Sequence, residues 1–172
     1  MFNPPLAKLN KERVTMEIIL SPPEPGDMGW VISQHGDIYA QEFGLREPFE
    51  LDIATKMVAF YQKEAPQLFI ARVGKERAGS IAISTPSRTM GFINFVLVAP
   101  GFRNLGLGQY MLSHVIEESK ARGLTTLRLE TYDCLKAARR LYKKNGFKIV
   151  ETQSGFNTYG QDFDQEFWER PL

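Results

Sequence analysis

The sequence predicts a single α/β domain built on a mixed sheet. Strand-like and helix-like segments alternate along 172 residues, a length that suits one domain. A strand pattern at 90–100, a helix pattern at 106–122 and a strand pattern at 124–131 form a strand–helix–strand unit, which places its two strands parallel in one sheet. Residues 1–13 are interpreted as a loosely held lead-in. Residues 14–172 then form the domain.

The first half of the chain supplies one strand, two helices and a strand pair. β-Branched residues indicate the first strand, and apolar residues at helical spacing indicate the two helices. The strand pair flanks Gly74 and Lys75, a turn that predicts an antiparallel hairpin. The predicted elements are a strand at 14–20, helices at 28–43 and 47–66, and strands at 67–73 and 76–84.

The second half completes the sheet. The strand at 90–100 is apolar almost throughout, which predicts cover on both of its faces. A short helix at 135–145 carries Lys143 and Lys144 in its last turn, where cations suit the helix dipole. Gly146 is expected to cap this helix. Two further strands, within 147–152 and 162–171, end the chain.

Charge and composition exclude several kinds of partner. The net charge of +1 argues against non-specific binding to nucleic acid or to an acidic membrane. Cys134 is the one cysteine, so no internal disulfide can form, which fits a reducing compartment. No run approaches the roughly 18 to 20 apolar residues that span a bilayer, and no secretion signal is visible. We therefore expect a cytoplasmic protein without nucleic-acid or membrane partners.

A glycine-containing turn leaves the apolar strand and enters the next helix. In this stretch, VAPGFRNLGLGQYM, Gly106 and Gly108 let a ligand approach the backbone. The unpaired N–H groups and the dipole of the helix N-terminus favour an anion, especially phosphate, and Arg103 could add a charge-assisted contact. A P-loop is excluded because Leu107 and Gly108 replace its Lys and Ser/Thr. The dinucleotide fingerprint fails because Met111 stands where its last glycine belongs.

Two ordered motifs resemble those of the GNAT superfamily, the acetyl-CoA-dependent N-acetyltransferases. RNLGLG, from Arg103 to Gly108, resembles motif A, and AARRLYKKNGFKIV (137–150) resembles motif B. Flanking stretches at 25–45 and 158–172 resemble the acetyltransferase domain fused to MarR-type regulators. This resemblance implies a mixed, mostly antiparallel twisted sheet of about seven strands, with helices on both faces.

The resemblance also implies acetyl-CoA as co-substrate and Tyr142 as the acid that protonates the leaving thiolate. A backbone N–H at the end of the 90–98 strand would polarise the thioester carbonyl. The alternative for Tyr142 is a core aromatic residue. The residues expected to bind the coenzyme are Val96, Leu97, Val98, Arg103, Asn104, Leu105, Gly106, Leu107, Gly108, Gln109, Tyr110 and Tyr142.

The general base is left open between residues on different elements. The apolar strand offers no carboxylate, so Glu130 on the following strand is one candidate, acting directly or through water. His35 and Glu42 are others, and with Tyr39 they share one face of the first helix and form a candidate acceptor site. The alternative for this trio is a solvated or hydrogen-bonded helix face. One His and one Glu are too few ligands for a metal, so no metal is expected.

The predicted function is transfer of an acetyl group from acetyl-CoA to a primary amine of a small molecule, amino acid or peptide, by direct attack in a ternary complex. The alternative is a non-catalytic acyl-CoA-binding regulatory module. Motif B departs from the family pattern at Leu135, where members often carry an Asn that contacts the coenzyme, and Cys134 is interpreted as structural. Either a monomer or a homodimer is compatible with the sequence.

Overall fold

The computed structural model describes residues 7–11 and 14–172, in which eight strands and four α-helices are found. All predicted helices and strands are present, with ends shifted by a few residues. The strands are β1 (Ala7–Lys11), β2 (Val14–Ser21), β3 (Gln67–Val73), β4 (Glu76–Ser84), β5 (Met90–Val98), β6 (Thr126–Tyr132), β7 (Lys148–Phe156) and β8 (Phe163–Pro171). The helices are α1 (Asp27–Phe43), α2 (Glu47–Tyr61), α3 (Leu107–Ala121) and α4 (Lys136–Lys144).

The strands form one mixed sheet in the order β1-β2-β3-β4-β5-β6-β8-β7. Only β5 and β6 pair in parallel, and the other neighbours in the described sheet are antiparallel. This confirms the predicted mixed, mostly antiparallel α/β fold. The sheet has one strand more than expected because β1 pairs with β2. Residues 1–6 and 12–13 of the predicted lead-in lie outside the described residues.

Helices cover both faces of the sheet and divide the core in two. On one face, Met111 and Leu112 of α3 pack against Ile81 and Ile83 of β4. On the other face, Phe60 of α2 belongs to a cluster that includes residues of α1 and β5. Burying such a side chain contributes about 1.5 to 3 kcal/mol relative to leaving it exposed, so the two layers hold the central strands β4, β5 and β6 in place.

The start of α1 is anchored by Asp27, whose side chain is fully buried. Its two carboxylate oxygens each lie 2.7 Å from a guanidinium nitrogen, one of Arg72 and one of Arg77. It also accepts the backbone N–H of Glu24 at 2.7 Å. Burial alone would raise the pKa of Asp27, but the Glu24 N–H and the two arginines outweigh it and hold the pKa below its ordinary value. This cluster fixes α1 to the β3–β4 hairpin.

A bulge in β5 opens the sheet. Ser80 of β4 pairs with Leu97 and Ala82 pairs with Asn94, so two residues of β5 oppose one residue of β4. Phe95 in this bulge has φ +50°, in the left-handed region. The parallel pairing of β5 with β6 runs from Met90 to Ile93 and ends there. Beyond this point the two strands separate and leave a cleft.

The far edge of the sheet is formed by β7, whose residues 148–155 are exposed. Its pairing with β8 has two register breaks, one between Ile149 and Glu151 and one between Gln153 and Phe156. Ile149 and Val150 are among the exposed large apolar side chains of the molecule. No helix in the described part of the chain has the length and apolar character needed to cross a membrane.

Candidate active site

The cleft between β5 and β6 contains a cavity of about 110 Å³. It lies where β5 and β6 stop pairing after Ile93, and residues of α1, α2 and α4 complete its lining. The residues that line it are His35 and Tyr39 of α1, Phe49, Ile53 and Lys56 of α2, residues 92–96 of β5, residues 129–132 of β6, and Leu135, Ala138 and Tyr142 at α4. The helices α1 and α2, the strands β5 and β6 and the motif B helix α4 therefore meet at this cavity.

Tyr142 reaches this cavity from α4 and is only 4% exposed. Its ring also packs near Phe147 and Trp168, with ring centroids 6.0 Å and 6.3 Å away. The two interpretations of Tyr142 from sequence are therefore compatible, since the residue belongs to the core and lines the cavity. Burial raises the pKa of the phenol, so it stays protonated at neutral pH and is able to donate a proton.

The turn before α3 has the geometry of an anion site. Gly106 has φ +80°, and a β-carbon there would meet no atom within 4 Å in the described structure. The first backbone bond at this helix end runs from the Tyr110 N–H to the Gly106 carbonyl. The amides of Leu107, Gly108 and Gln109 come before it and face the helix N-terminus, where an anion is favoured.

Other predicted coenzyme residues have structural contacts of their own. A β-carbon on Gly108 would lie 3.4 Å from Leu141 and 3.7 Å from Val98, which is ordinary van der Waals contact with α4 and β5. The side chains of Leu97 and Leu107 are buried. At these positions only backbone groups are placed to meet a ligand.

The Gln109 amide exchanges two hydrogen bonds with Asn145, at 2.8 Å and 2.9 Å. This pair joins the first turn of α3 to the end of α4. Asn104 is exposed with φ +60°, and Leu105 and Tyr110 are half-buried beside the core. Val96 lines the cavity, and both Val96 and Val98 pack against the core on the side of the sheet covered by α3.

Arg103 and Glu42 form an ion pair that the sequence did not predict. The Arg103 Nη1 lies 2.6 Å from the Glu42 Oε1, and the Arg103 Nε donates to the Val98 carbonyl at 3.4 Å. Glu42 does not line the cavity, whereas His35 and Tyr39 do. The predicted trio is thus split: Glu42 connects the end of α1 to the glycine turn, and the other two residues face the cleft.

His35 lines the cavity with an uncharged imidazole ring. It is buried, and its Nδ1–H donates to the Val31 carbonyl at 2.8 Å, which leaves Nε2 as the acceptor nitrogen. Burial lowers the pKa of His35 to about 4, because it disfavours the charged ring. The ring stacks on Tyr39 and contacts the edge of Phe95 in the bulge. His35 can therefore accept a hydrogen bond, but it is too weak a base to hold a proton at neutral pH.

Glu130 also lines the cavity, within a charged network that the sequence did not reveal. Its Oε1 lies 3.1 Å from the Lys56 Nζ, which lies 3.1 Å from the Asp52 Oδ2. The Tyr132 hydroxyl donates to Glu130 at 3.5 Å, and the Tyr159 hydroxyl donates to Asp52 at 2.7 Å. The i, i+4 spacing of Asp52 and Lys56 was visible in the sequence, but the position of Lys56 beside β6 was not.

The side chains described by the structure contain no group of three His, Cys, Asp or Glu residues suited to a metal ion. The site combines a helix end whose first amides precede the first helical hydrogen bond, a cleft between two parallel strands and a buried phenol beside that cleft. These are features of acyltransferases that take their acyl group from a phosphate-bearing carrier. The chain belongs to the acetyltransferase (GNAT) family, whose model matches residues 34–147.

A relative named as an N-acetyltransferase agrees with this family. The chain is 32% identical over 101 residues to the uncharacterized N-acetyltransferase YsnE of Bacillus subtilis. That match covers 58% of this chain and 65% of the relative, just under two thirds of its length.

Solved structures show the same fold at low identity. A GNAT-family acetyltransferase from Staphylococcus aureus Mu50 superposes with a TM-score of 0.72 at 21% identity, covering 90% of this chain and 99% of the other. A GNAT-family acetyltransferase from Elizabethkingia anophelis, solved with acetyl-CoA bound, gives a TM-score of 0.65 at 19% identity, covering 90% of this chain and 98% of the other.

Proposed function

We propose that this protein transfers the acetyl group of acetyl-CoA to a primary amine in a ternary complex. The observation that carries the proposal is the buried Tyr142 phenol in the cavity where β5 and β6 separate. Family membership supports it, as does the acetyl-CoA bound in the Elizabethkingia structure. The proposed acceptor is a small amine, an amino acid or a peptide.

The helix end of α3 fits the diphosphate of the coenzyme. The backbone amides of Leu107, Gly108 and Gln109 would donate to phosphate oxygens. The open space at Gly106 lets the phosphate groups reach these amides. Arg103 would add a charge-assisted bond, in place of or beside its bond to Glu42. From this end the pantetheine arm would extend into the cleft beside β5.

The proposed transfer uses this chain's residues for proton movement. The amine nitrogen forms a bond to the thioester carbonyl carbon, the carbon–sulfur bond breaks, and Tyr142 gives its proton to the leaving sulfur. The proton lost by the amine passes to Glu130, directly or through water, and from there to solvent. Tyr142 recovers its own proton from solvent before the next cycle.

The alternative proposal is a non-catalytic acyl-CoA-binding regulatory module. Its support is the sequence resemblance to domains that occur fused to MarR-type regulators. Such a module would use the same helix end of α3 for the coenzyme, so binding alone does not distinguish the two proposals. Turnover of acetyl-CoA with an amine distinguishes them, because only the enzyme releases the thiol.

The test follows free thiol release from acetyl-CoA with a library of amines, for the wild type and for Tyr142→Phe. We expect release with the wild type, and a fall in kcat of about 100-fold or more in the variant, because the proton donor is lost. Calorimetry should give a Kd for acetyl-CoA that changes by less than about threefold, since the ring remains. Tyr61→Phe, at a residue 37% exposed and outside the cavity lining, is the matched control.

Equal turnover in Tyr142→Phe would remove Tyr142 from the acid role. Coenzyme binding without thiol release for any amine would favour the regulatory module. Absence of coenzyme binding would contradict both proposals.

A further inference from the structure

Lys56 sits between two carboxylates, of which Glu130 lines the cavity with Lys56 and Asp52 pairs with Lys56 from outside the lining. Its Nζ lies 3.1 Å from Asp52 on its own helix and 3.1 Å from Glu130 on β6. Each carboxylate has a second anchor, a hydroxyl of Tyr159 for Asp52 and a hydroxyl of Tyr132 for Glu130. Of the residues found to line the cavity, Lys56 is the one that carries a positive charge, because burial keeps His35 neutral.

This network leaves an excess of negative charge. Burial would lower the pKa of Lys56, but Glu130 and then Asp52 outweigh burial and raise it, so the ammonium persists at neutral pH. One positive charge thus faces two negative charges. A carboxylate that entered the cleft would find Lys56 already paired and would be repelled by Asp52 and Glu130. A cationic amine would be attracted by the same two groups.

Rings make up a large part of the cavity wall, beside the polar side chains of Lys56, Asn94, Glu130 and Thr131. Ring faces attract cations and provide contact area for an apolar body. The aromatic and imidazole rings of the lining are His35, Tyr39, Phe49, Phe92, Phe95, Tyr132 and Tyr142. The phenylalanine rings and the aliphatic side chains of Ile53, Ile93 and Leu129 offer no hydrogen-bonding atoms, so this part of the wall suits a hydrocarbon or aromatic group.

From this arrangement we infer that the acceptor is a primary amine with an apolar or aromatic body and no carboxylate beside its nitrogen. The Asp52–Lys56–Glu130 group acts as a specificity device that excludes free amino acids. This inference rests on the proposed acetyl transfer and narrows its acceptor.

The test compares acceptors that differ only by a carboxylate. The pairs are 2-phenylethylamine with phenylalanine and tyramine with tyrosine, assayed with acetyl-CoA and compared as kcat/KM for the free-base amine. We expect the amine of each pair to be preferred by about tenfold or more. Phenylalaninamide has a neutral group of similar size in place of the carboxylate. It should behave like the amine, because the site excludes the negative charge of the carboxylate and not its size.

A variant tests the source of the preference. Asp52→Asn removes one negative charge and leaves Lys56 with a single carboxylate partner, so a substrate carboxylate can approach it. The preference for 2-phenylethylamine over phenylalanine should fall by about threefold or more. Asp37→Asn, at an exposed position of α1, makes the same chemical change and should keep the wild-type ratio.

Different results identify different failures. If wild-type enzyme acetylates phenylalanine as well as 2-phenylethylamine, or groups phenylalaninamide with phenylalanine, the inference is overturned while acetyl transfer stands. An unchanged ratio in Asp52→Asn would also overturn the role given to this network. No thiol release with any of these compounds or with the amine library would overturn the proposed transfer, and the inference with it.

Discussion

Asp27 shows how one buried residue couples fold and pH. Its folded-state pKa lies below the ordinary value, so its pairing stabilises the protein at pH values above the unfolded-state pKa of about 3.9. This contribution is lost as the pH falls through the folded-state pKa. Arg72 and Arg77 would be left without their buried partner if the charge of Asp27 were removed.

We therefore expect Asp27→Asn to lower the free energy of unfolding by about 3 kcal/mol at pH 7. The difference from wild type should shrink as the pH falls below about 3.9, because Asp27 of the unfolded chain takes up a proton there, and it should vanish once the pH passes the lower folded-state pKa. Urea unfolding followed at several pH values measures both effects. Asp37→Asn serves as the exposed control, and a difference that stays constant with pH would contradict this account.

Residues that act through local chain geometry could be predicted, and residues that act through distant contacts could not. The position of Gly106 at the start of α3 follows from a glycine between a strand and a helix, a pattern confined to a few neighbouring positions. The role of Lys56 depends on its ion pair with Glu130, which lies 74 positions away in the chain. Spacing along a single helix cannot show such a partner.

At the scale of elements, the bulge in β5 determines where the cavity forms. The Ser80 hydroxyl donates to the Phe95 carbonyl at 2.7 Å, and Ser80 is fully buried. This bond holds the carbonyl of a residue that has a strained positive φ. The bulge has no signal in the sequence, because Phe95 stands in an ordinary apolar strand pattern where a glycine would have marked it.

Ser80→Ala should lower the free energy of unfolding by about 1 kcal/mol through the lost hydrogen bond. It should also reduce kcat by about tenfold or more, since the bulge positions both walls of the cleft. Ser119→Ala is a closely matched control, because the buried Ser119 hydroxyl donates to the Val115 carbonyl within α3 at 2.6 Å. Chemical denaturation and steady-state kinetics together measure the two effects. Equal kcat values in the two variants would separate the bulge from activity.

For the whole molecule, coenzyme binding should appear as added stability. Acetyl-CoA at about 100 times its Kd adds about 2.7 kcal/mol, which corresponds to a rise in Tm of roughly 5 to 10 °C for a chain of this size. Differential scanning calorimetry at fixed coenzyme concentration measures the rise.

Gly106→Val should abolish most of that rise, because its side chain would fill the space in front of the helix end. Gly123→Val has a similar backbone strain, with φ +75° and open space around it, and should keep the rise. Loss of the rise in both variants would indicate general destabilisation instead of a blocked binding site.

The architecture as a whole was largely predictable, since the order of helices and strands is set by local patterns and the strand–helix–strand unit fixes one parallel pair. The extra strand β1 was missed because its five residues, AKLNK, include no β-branched or aromatic side chain and closely follow two prolines. Its strand conformation comes from antiparallel hydrogen bonding to β2, which the residues of β1 alone do not indicate.

The interrupted ladder of β7 limits what can join the sheet from outside. Between its two register breaks only Glu151, Thr152 and Gln153 keep consecutive alignment with β8. A strand of another molecule that paired with the exposed edge of β7 would find regular strand geometry over only these three residues, because a register break lies on each side of them. Growth into a continuous intermolecular ribbon is thereby discouraged, even though Ile149 and Val150 are open to water.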